Sequence, residues 1–334
     1  MTTRRVRVAT LTLVTALLAA CGGSGSAEDA ETRPDEGHYP VTVENCGQQV
    51  TIESEPTNVA MLKSAVVPFL TSVGVLDHVG VKAGAYPEGY FSGDVARQVE
   101  EIDSLTDRTD ASGHLQISKE AVIEREPDLV LGHTDNLNRA SLEEVGIPSL
   151  EASGLCTQNL PEPGFQQIYD EVEMYGKVFN REEEAADAIA GLKKRVEKVT
   201  SSTTKGERTG AVLYPTVGGG TTYAYGNKSM PDPLLEAAGM ENVFGGQDQR
   251  VFEVTLEKLL EKDPDVIVLL HSDGDPKKVE QALTSLPGAD KLTAVRTGQV
   301  HTELFNFAEP ASPLVVDGLE QLIENVRAAE KDQT

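Results

Sequence analysis

The sequence predicts an α/β protein: two Rossmann-like lobes joined by a single long, rigid α-helix, with a ligand cleft between the lobes. Three observations lead to this prediction. Strand-like and helix-like segments alternate along both halves of the chain, a helix–Pro–strand unit occurs once in each half, and a long amphipathic helix is predicted between the two copies. Such alternation is typical of parallel sheets that are covered by helices on both faces.

The predicted inter-lobe helix covers residues 181–202. Its apolar residues recur every three or four positions, as one face of a helix requires; they are Ala185, Ala188, Ile189, Leu192, Val196 and Val199. Asn180 is expected to be the N-cap. Acidic residues fill the first turn and basic residues lie near the end, which is the order that the helix dipole favours. At 1.5 Å per residue the helix would be roughly 30 Å long.

The other elements follow from periodicity and turn residues. A hairpin is predicted at 41–52, with its turn at 45–48. In the first half, strands are predicted at 58–62, 79–83, 128–131 and 147–150, and helices at 64–73, 119–125, 139–145 and 165–179. In the second half, strands are predicted at 210–214, 221–225, 266–270 and 299–305, and helices at 233–238, 256–260, 277–283 and 314–329.

The repeated unit covers residues 119–131 and 256–268, which read KEAVIEREPDLVL and LEKLLEKDPDVIV. In each copy a short amphipathic helix ends at a proline, and an aliphatic strand follows. A histidine comes after each strand, His133 and His271. Units of this kind are common in α/β proteins, so the repeat supports the two-lobe prediction without establishing it.

Length and charge limit the classes of function. A chain of 334 residues suggests about two domains. The formal net charge is −25, and loss of the first twenty residues with their three arginines would leave −28. So acidic a protein is not expected to bind nucleic acid or an anionic membrane surface. The expected segments are a signal peptide at 1–20, a disordered tether at 21–38, a first lobe at 39–180, the inter-lobe helix at 181–203 and a second lobe at 204–334.

The N-terminus is predicted to be an export signal with a lipidation site. Three arginines precede an apolar run, residues 8–18, that is too short to span a membrane. The run ends in LAACG at 18–22, which resembles the lipobox of bacterial lipoproteins. That resemblance implies cleavage before Cys21 and a lipid on its sulfur; a plain secretory signal is the alternative. The mature protein is then expected on the extracytoplasmic face of the cell membrane, held by the lipid alone.

Two further cysteines, Cys46 and Cys156, remain. In an exported chain they are candidates for a disulfide that closes a loop of about 110 residues. Metal ligation and two free thiols are the alternatives.

Candidate ligand contacts follow the predicted strands, because ligands of open parallel sheets bind beyond the carboxyl ends of the strands. In the first lobe these residues are Met61, Lys63, Ser64, Tyr86, Tyr90, Phe91, His133 and Thr134. In the second lobe they are Tyr214, Thr221, Tyr223, Arg250, Phe252, His271, Phe305, Asn306 and Phe307. Aromatic, amide and basic groups suit a large planar or chelate-type ligand. The alternative is that individual members only pack loops.

Sequence motifs of common enzymes do not occur. The triple glycine at 218–220 lacks the Gly-Lys-Ser/Thr ending of a phosphate loop, and neither Gly-x-Ser-x-Gly nor His-Glu-x-x-His is found. We therefore expect no catalytic residues. His133 and His271 could together hold a metal ion or a haem iron. The six histidines contain no His-x-x-x-His pair, however, so a protein-bound metal is the less favoured interpretation.

Three segments together resemble one protein family. They are YPVTVENCG at 39–47, EPDLVL at 126–131 and LPGADKLTAVRTGQV at 286–300. They resemble the substrate-binding lipoproteins of ABC importers, and most closely the helical-backbone type that serves ferric siderophores, haem and cobalamin. The resemblance covers about residues 39–328.

The resemblance implies a stiff link and a docking partner. The helix at 181–202 would restrict closure of the lobes to a small tilt. Relatives dock to the permease of the ABC transporter through one surface glutamate per lobe, seven residues before the proline of each repeated unit. Glu120 and Glu257 occupy these positions. Two carboxylates would give a two-point electrostatic contact with arginines of the permease.

The resemblance also bears on the ligand. Siderophore binders for anionic catecholates carry a cluster of arginines in the cleft, whereas this sequence offers only Arg250, with Lys63 as a second cation. A neutral or cationic ferric chelate, of the hydroxamate type, is therefore favoured. A receptor for haem or cobalamin is the alternative within the same fold, and a surface hydrolase is the alternative of another class. We expect a monomer with no intrinsic cofactor, no metal of its own and no nucleic-acid partner.

Overall fold

The computed structural model describes residues 37–109, 115–206, 208–272 and 274–331. The predicted signal peptide, the lipidation site Cys21 and most of the predicted tether lie outside the described residues. Within those ranges, no helix has both the length and the apolar character needed to cross a membrane.

A parallel sheet forms the first lobe, preceded by a hairpin of β1 and β2. The strands are β1 Val41–Asn45, β2 Gln48–Ile52, β3 Val59–Met61, β4 Val79–Lys82, β5 Asp103–Ser104, β6 Leu129–Leu131 and β7 Ser149–Leu150. The sheet order is β5-β4-β3-β6-β7, and every neighbouring pair is parallel. Strands β3 and β6 are buried at every position, as their uninterrupted apolar sequences predict.

Helices cover both faces of this sheet. They are α1 Val67–Ser72, α2 Gly93–Glu101, α3 Lys119–Ile123, α4 Arg139–Glu143 and α5 Phe165–Phe179. Apolar residues of α1 and α5 pack on one face and those of α3 and α4 on the other. The first lobe is therefore the covered parallel sheet that the alternating pattern predicts.

The second lobe is built around a mixed sheet. Its strands are β8 Arg208–Pro215, β9 Thr222–Tyr225, β10 Met240–Asn242, β11 Val251–Val254, β12 Val266–His271 and β13 Val300–Leu304. The order is β11-β9-β8-β12-β13, and β10 pairs with the start of β8. Strands β8, β12 and β13 are parallel, whereas β9 and β11 are antiparallel to their neighbours.

Helices also cover the second sheet on both faces. They are α7 Pro231–Ala237, α8 Leu256–Lys262, α9 Pro276–Thr284, α10 Thr293–Arg296 and α11 Leu314–Lys331. Helices α8, α9 and α10 pack on one face, and α7 and α11 pack on the other.

Helix α6, Glu182–Thr200, follows the first lobe and precedes β8. Its 19 residues make a rod of about 28 Å. Arg195 ties it to α11 through Asp317 (2.6 Å) and Glu320 (2.7 Å). That α6 acts as a rigid link limiting lobe closure stays a prediction.

The predicted N-cap of this helix is wrong. Asn180 has a left-handed backbone, with φ of 54°, and is the C-cap of α5, while Arg181 is the N-cap of α6. Asparagine tolerates the left-handed region better than most residues, so it suits the end of one helix as well as the start of another. Because α5 and α6 are almost contiguous, the same residue could serve either helix, and the sequence does not distinguish the two roles.

The two copies of the repeated unit share one backbone conformation. The residue before the proline is left-handed in both, with φ of 50° at Glu126 and 39° at Asp263. Asp263 is the C-cap of α8, whereas Glu126 follows the right-handed C-cap of α3, Glu124, by two residues. In both copies a non-glycine residue in the left-handed region thus precedes the proline and the next strand.

The aspartates after the two prolines also make equivalent contacts. Asp128 accepts hydrogen bonds from the backbone amides of Thr57 (2.7 Å) and Asn58 (3.0 Å), just before β3. Asp265 accepts from the backbone amide (2.8 Å) and hydroxyl (2.9 Å) of Thr209, at the start of β8. In each lobe the aspartate thus fixes the register of the central strand against the next one.

One apolar cluster extends through both lobes. It includes Val59 and Leu129 of the first sheet, Val212 and Val268 of the second, and residues of α5, α6 and α11. The opposite face of each sheet has a separate cluster. The two lobes therefore share buried apolar surface on the side of the long helices.

The predicted disulfide is confirmed. Cys46 and Cys156 are bonded across 110 residues of sequence. Cys46 and Gly47 form the tight turn of the β1–β2 hairpin, and both have positive φ, 54° and 74°, as a type I′ turn requires. The disulfide therefore links this hairpin to the loop that follows β7.

Candidate functional site

The carboxyl ends of the two sheets meet. Asn306, just after β13, donates a side-chain hydrogen bond to the Ser64 hydroxyl, just after β3 (2.9 Å). The backbone amide of Asn306 donates to the Tyr90 hydroxyl oxygen (3.0 Å). Both Asn306 and Tyr90 are buried. The strand ends thus face each other across the lobes, as the predicted cleft requires.

Aromatic rings surround this meeting point. Tyr90 of the first lobe lies 5.6 Å from Phe307 of the second, and 5.9 Å from its neighbour Phe91, measured between ring centroids. Tyr214, at the end of β8, packs edge-on against Phe305 at 6.1 Å. These distances are typical of favourable aromatic pairs. Five of the predicted ligand contacts are therefore brought together as an aromatic surface at the strand ends.

Lys63 pairs with a buried glutamate that the sequence did not reveal. Its Nζ lies 3.7 Å from Glu151 Oε2, and the side chains are 31% and 7% exposed. The carboxylate is held by the backbone amides of His133 (3.0 Å) and Ala152 (2.9 Å). Burial raises the pKa of Glu151, while Lys63 and the two amides oppose that rise. Gly132 leaves room for this lysine, because a Cβ there would lie 2.7 Å from Lys63 Cγ.

Arg250 pairs with a buried glutamate in the second lobe. Arg250 Nε donates to Glu309 Oε1 at 2.6 Å, and the side chains are 29% and 2% exposed. Glu309 Oε2 accepts from the backbone amide of Met230 (2.9 Å). Burial raises the pKa of Glu309, and Arg250 and the Met230 amide oppose that rise. Both predicted cations therefore have a carboxylate partner.

The two histidines of the repeated units lie in different lobes. His133 Nε2 is 2.9 Å from the Ser149 hydroxyl, and burial, with the charges of Arg139 and Lys63, lowers its pKa to about 4. His133 is therefore neutral at physiological pH. His271 is the buried last residue of β12. In the part of the chain that the structure describes, no group of three His, Cys, Asp or Glu side chains is arranged to hold a metal ion.

Two predicted contacts pack into apolar clusters, Met61 fully buried and Phe252 partly buried. Met61 has no exposed surface and packs in the apolar cluster shared by the lobes, because it is still part of β3. Phe252 packs on Phe244, with centroids 5.4 Å apart, on the face of the second sheet that α8 and α9 cover. Neither side chain lies with the aromatic residues at the strand ends, so the proposed site contains neither of them.

The remaining predicted contacts have local roles. The Tyr86 hydroxyl donates to the carbonyl of Met61 (3.0 Å), and Thr134 closes a turn by accepting from the amide of Leu137 (3.2 Å). The Thr221 carbonyl accepts from Thr216 in the glycine-rich turn. Tyr223 on β9 is 36% exposed.

One buried carboxyl near the aromatic surface was also not predicted. Glu303 on β13 is 7% exposed, and among the described residues neither carboxyl oxygen has a hydrogen-bond partner. Burial raises the pKa of Glu303 to about 8; burial also raises the pKa of Tyr90, to which the charge of Glu303 makes a smaller contribution. The only signal in the sequence is an acidic residue inside a strand, directly before the LFNF segment 304–307.

The predicted docking glutamates occupy equivalent positions. Glu120 and Glu257 are exposed residues in the first turns of α3 and α8. The N-cap side chains of Ser118 and Thr255 accept from the amides of the third residue of each helix. Each lobe therefore presents one carboxylate in the same local geometry.

This chain is similar to known proteins of one family. The profile described as "Periplasmic binding protein" matches residues 66–302. A crystal structure described as an ABC-type Fe3+-hydroxamate transport system from Saccharomonospora viridis is 47% identical, covers 86% of this chain and 99% of its own, and superposes with a TM-score of 0.81. The uncharacterized ABC transporter substrate-binding lipoprotein YvrC of Bacillus subtilis is 24% identical over 95% of both chains.

More distant structures share the fold. The haem-binding protein RhuT from Roseiflexus, 15% identical, covers 83% of this chain and 99% of its own with a TM-score of 0.64. Since the profile spans most of the chain and the Saccharomonospora protein is similar over nearly its whole length, the chain belongs to the periplasmic binding protein family.

Proposed function

We propose that this protein is the extracytoplasmic solute-binding protein of an ABC importer, anchored by a lipid on Cys21, and that it captures a ferric hydroxamate between its lobes. Family membership and the 47% identical protein described as part of an Fe3+-hydroxamate transport system support this role. The bound chelate would then be delivered to the permease. The role requires binding and release without chemical change of the ligand.

The observation that carries the choice of ligand is that both candidate cations are paired with buried glutamates. Lys63 pairs with Glu151 and Arg250 with Glu309, so neither contributes an uncompensated positive charge. Three hydroxamates balance the charge of Fe3+, whereas three catecholates leave a net charge of −3. A site without excess positive charge suits the neutral complex and lacks the attraction that a trianion needs.

The aromatic surface suits the body of such a chelate. Phe91, Tyr214 and Phe305 are partly exposed and offer ring faces and edges to methylene chains and to the chelate rings, while Tyr90 and Phe307 are buried behind them. Asn306 forms hydrogen bonds with Ser64 and Tyr90. A ligand could break these bonds and pair its own donors and acceptors with the same polar groups. A mainly apolar site with a few placed polar groups is typical of small-molecule binding.

The ligand class is tested by native mass spectrometry and calorimetry of the mature protein with four probes: ferrioxamine E (a neutral trihydroxamate), ferric enterobactin (a tris-catecholate), haem and cobalamin. We expect one ferrioxamine per chain and at least tenfold weaker binding of the other three. Preferential binding of the tris-catecholate, or of haem or cobalamin, would overturn the assignment and identify the alternative receptor.

The docking role is tested separately. We expect the double variant Glu120→Arg, Glu257→Arg to bind ferrioxamine E as the wild type does but to lose iron uptake in cells, because the two exposed carboxylates would no longer pair with arginines of the permease. Glu280→Arg, an exposed charge reversal on α9, is the control and should support normal uptake. Normal uptake by the double variant would show that the permease docks elsewhere.

A further inference from the structure

We propose that Glu151 and Glu309 set the charge selectivity of the site: by cancelling the charges of Lys63 and Arg250, they admit neutral ferric chelates and exclude anionic ones. The inference rests on the proposed function and deepens it, because it assigns the selectivity to two buried residues that need not touch the ligand. It predicts that the charge of either glutamate decides whether neutral or anionic chelates are bound.

In each pair the glutamate is the buried member and the cation is the exposed one. Glu151 and Glu309 are 7% and 2% exposed, whereas Lys63 and Arg250 are 31% and 29% exposed. In each pair a ligand would therefore reach the ammonium or guanidinium before the carboxylate. The carboxylate lies behind it and acts through its charge.

The carboxylates are fixed and cannot turn away from their cations. One oxygen of Glu309 accepts from Arg250 and the other from the backbone amide of Met230. In Glu151 one oxygen accepts from the backbone amide of Ala152, and the other, which faces Lys63, accepts from that of His133. Oxygens that all accept hydrogen bonds belong to the ionised form, and carboxylates held by backbone amides cost little entropy to keep in place.

The same device occurs in both lobes. Glu151 directly follows β7, and Glu309 comes five residues after the end of β13. Strands β7 and β13 occupy the same place in the two sheets, next to β6 and β12. Each lobe therefore carries a buried acid in the segment after the strand next to β6 or β12. The cations come from different places, because Lys63 follows β3 and Arg250 precedes β11.

Other basic groups near the strand ends do not restore a positive site. Burial keeps His133 neutral, since its pKa falls to about 4. Arg139 is buried and donates to the side chain of Asn45 (2.5 Å); burial lowers its pKa, and the negative charges of Glu143 and Glu151 oppose that fall. Lys228 pairs with Glu162 at 2.9 Å. Removal of either buried glutamate should thus leave one uncompensated positive charge facing the ligand.

The test measures dissociation constants of ferrioxamine E and ferric enterobactin for wild type, Glu151→Gln, Glu309→Gln and the double variant. Glutamine keeps the shape and removes the charge. One freed cation about 10 Å from a trianion, in water-like screening, is expected to improve enterobactin binding about tenfold. The double variant should improve it by up to about a hundredfold, with ferrioxamine E affected less than threefold. The gain should shrink as salt is raised.

Two controls separate charge from structural damage. Glu309→Asp keeps the negative charge and should leave the ratio of the two dissociation constants at the wild-type value. Glu261→Gln removes a charge from the exposed pair with Lys258 and should also leave the ratio unchanged. If the Gln variants fold and bind ferrioxamine E but the ratio stays within twofold of wild type, the inference is wrong. If the wild type binds neither chelate, the proposed function itself fails, and the inference with it.

Discussion

The buried carboxyl of Glu303 makes a sharp prediction about the pH dependence of stability. Both of its oxygens lack a hydrogen-bond partner among the described residues, and burial raises its pKa to about 8. The ordinary value, which the unfolded chain would show, is 4.5. Between these two values the folded protein keeps a proton that the unfolded chain has released. This stabilising contribution is complete below pH 4.5 and is lost as the pH rises through about 8.

The magnitude follows from linkage. One extra proton in the folded state lowers the free energy of unfolding by about 1.4 kcal/mol for each pH unit. From pH 5.5 to 7.5, Glu303 should therefore contribute a loss of about 3 kcal/mol. Glu171, also buried with a pKa of about 8, adds a similar slope. His133 acts in the opposite direction between its folded pKa of about 4 and its ordinary pKa of 6.5.

The variant Glu303→Gln isolates the effect of Glu303, because the other two groups titrate equally in both proteins. Urea unfolding at pH 5.5, 6.5 and 7.5 gives the free energy of unfolding of each. The difference in free energy of unfolding, variant minus wild type, should increase by about 3 kcal/mol from pH 5.5 to pH 7.5, whatever the absolute stability of the variant. Glu324→Gln, at an exposed position on α11, should show no such gain. Parallel pH profiles of Glu303→Gln and wild type would refute the reasoning.

Two further predictions concern the scaffold. Replacement of Cys46 and Cys156 by serine opens a loop of 110 residues and should lower the free energy of unfolding by about 4–5 kcal/mol. The loss should appear as a lower midpoint of urea unfolding, and reduction of the wild-type disulfide should lower the midpoint equally. Gly318→Ala would force a Cβ against the carbonyl of Phe307, so it should lower the free energy of unfolding by about 2 kcal/mol and weaken ferrioxamine binding. Gly191→Ala, at a position on α6 with open space, should raise the free energy of unfolding by about 0.5–1 kcal/mol. Equal effects of the two substitutions would contradict the close packing at Gly318.

The long apolar patterns of the sequence predicted most of the fold. Helix α5 was predicted at 165–179 and is observed at Phe165–Phe179, and the hairpin and parallel strands lie where they were expected. Helix α2 was not predicted because it is short: its nine residues carry only three apolar side chains, Val95, Ala96 and Val99, which do lie at helical spacing. Strand β11 was missed because its four residues pair at the sheet edge and are mostly exposed.

The candidate site was predicted only as far as topology allows. Parallel strands place their carboxyl ends together, so aromatic residues after the strands could be chosen from the sequence alone. Pairing of charges depends on side chains distant in sequence, and neither Glu151 nor Glu309 carries a local signal of burial. Asn306 and Ser64 are 242 positions apart, so their hydrogen bond also required the structure.

The contacts between the lobes suggest where the molecule opens to admit a ligand. At the strand ends, the contacts between the lobes include two hydrogen bonds of Asn306, the ring pair of Tyr90 with Phe307 and the exposed ion pair of Lys228 with Glu162. The hydrogen bonds and the ring pair together contribute about 2–4 kcal/mol, and an exposed ion pair adds little. On the side of the long helices they share an apolar cluster, in which each fully buried aliphatic side chain contributes about 1.5–3 kcal/mol. The lobes should therefore separate far more easily at the strand ends than on the side of the long helices. We expect entry of a ligand to tilt the lobes apart at the strand ends, while α5, α6 and α11 stay packed.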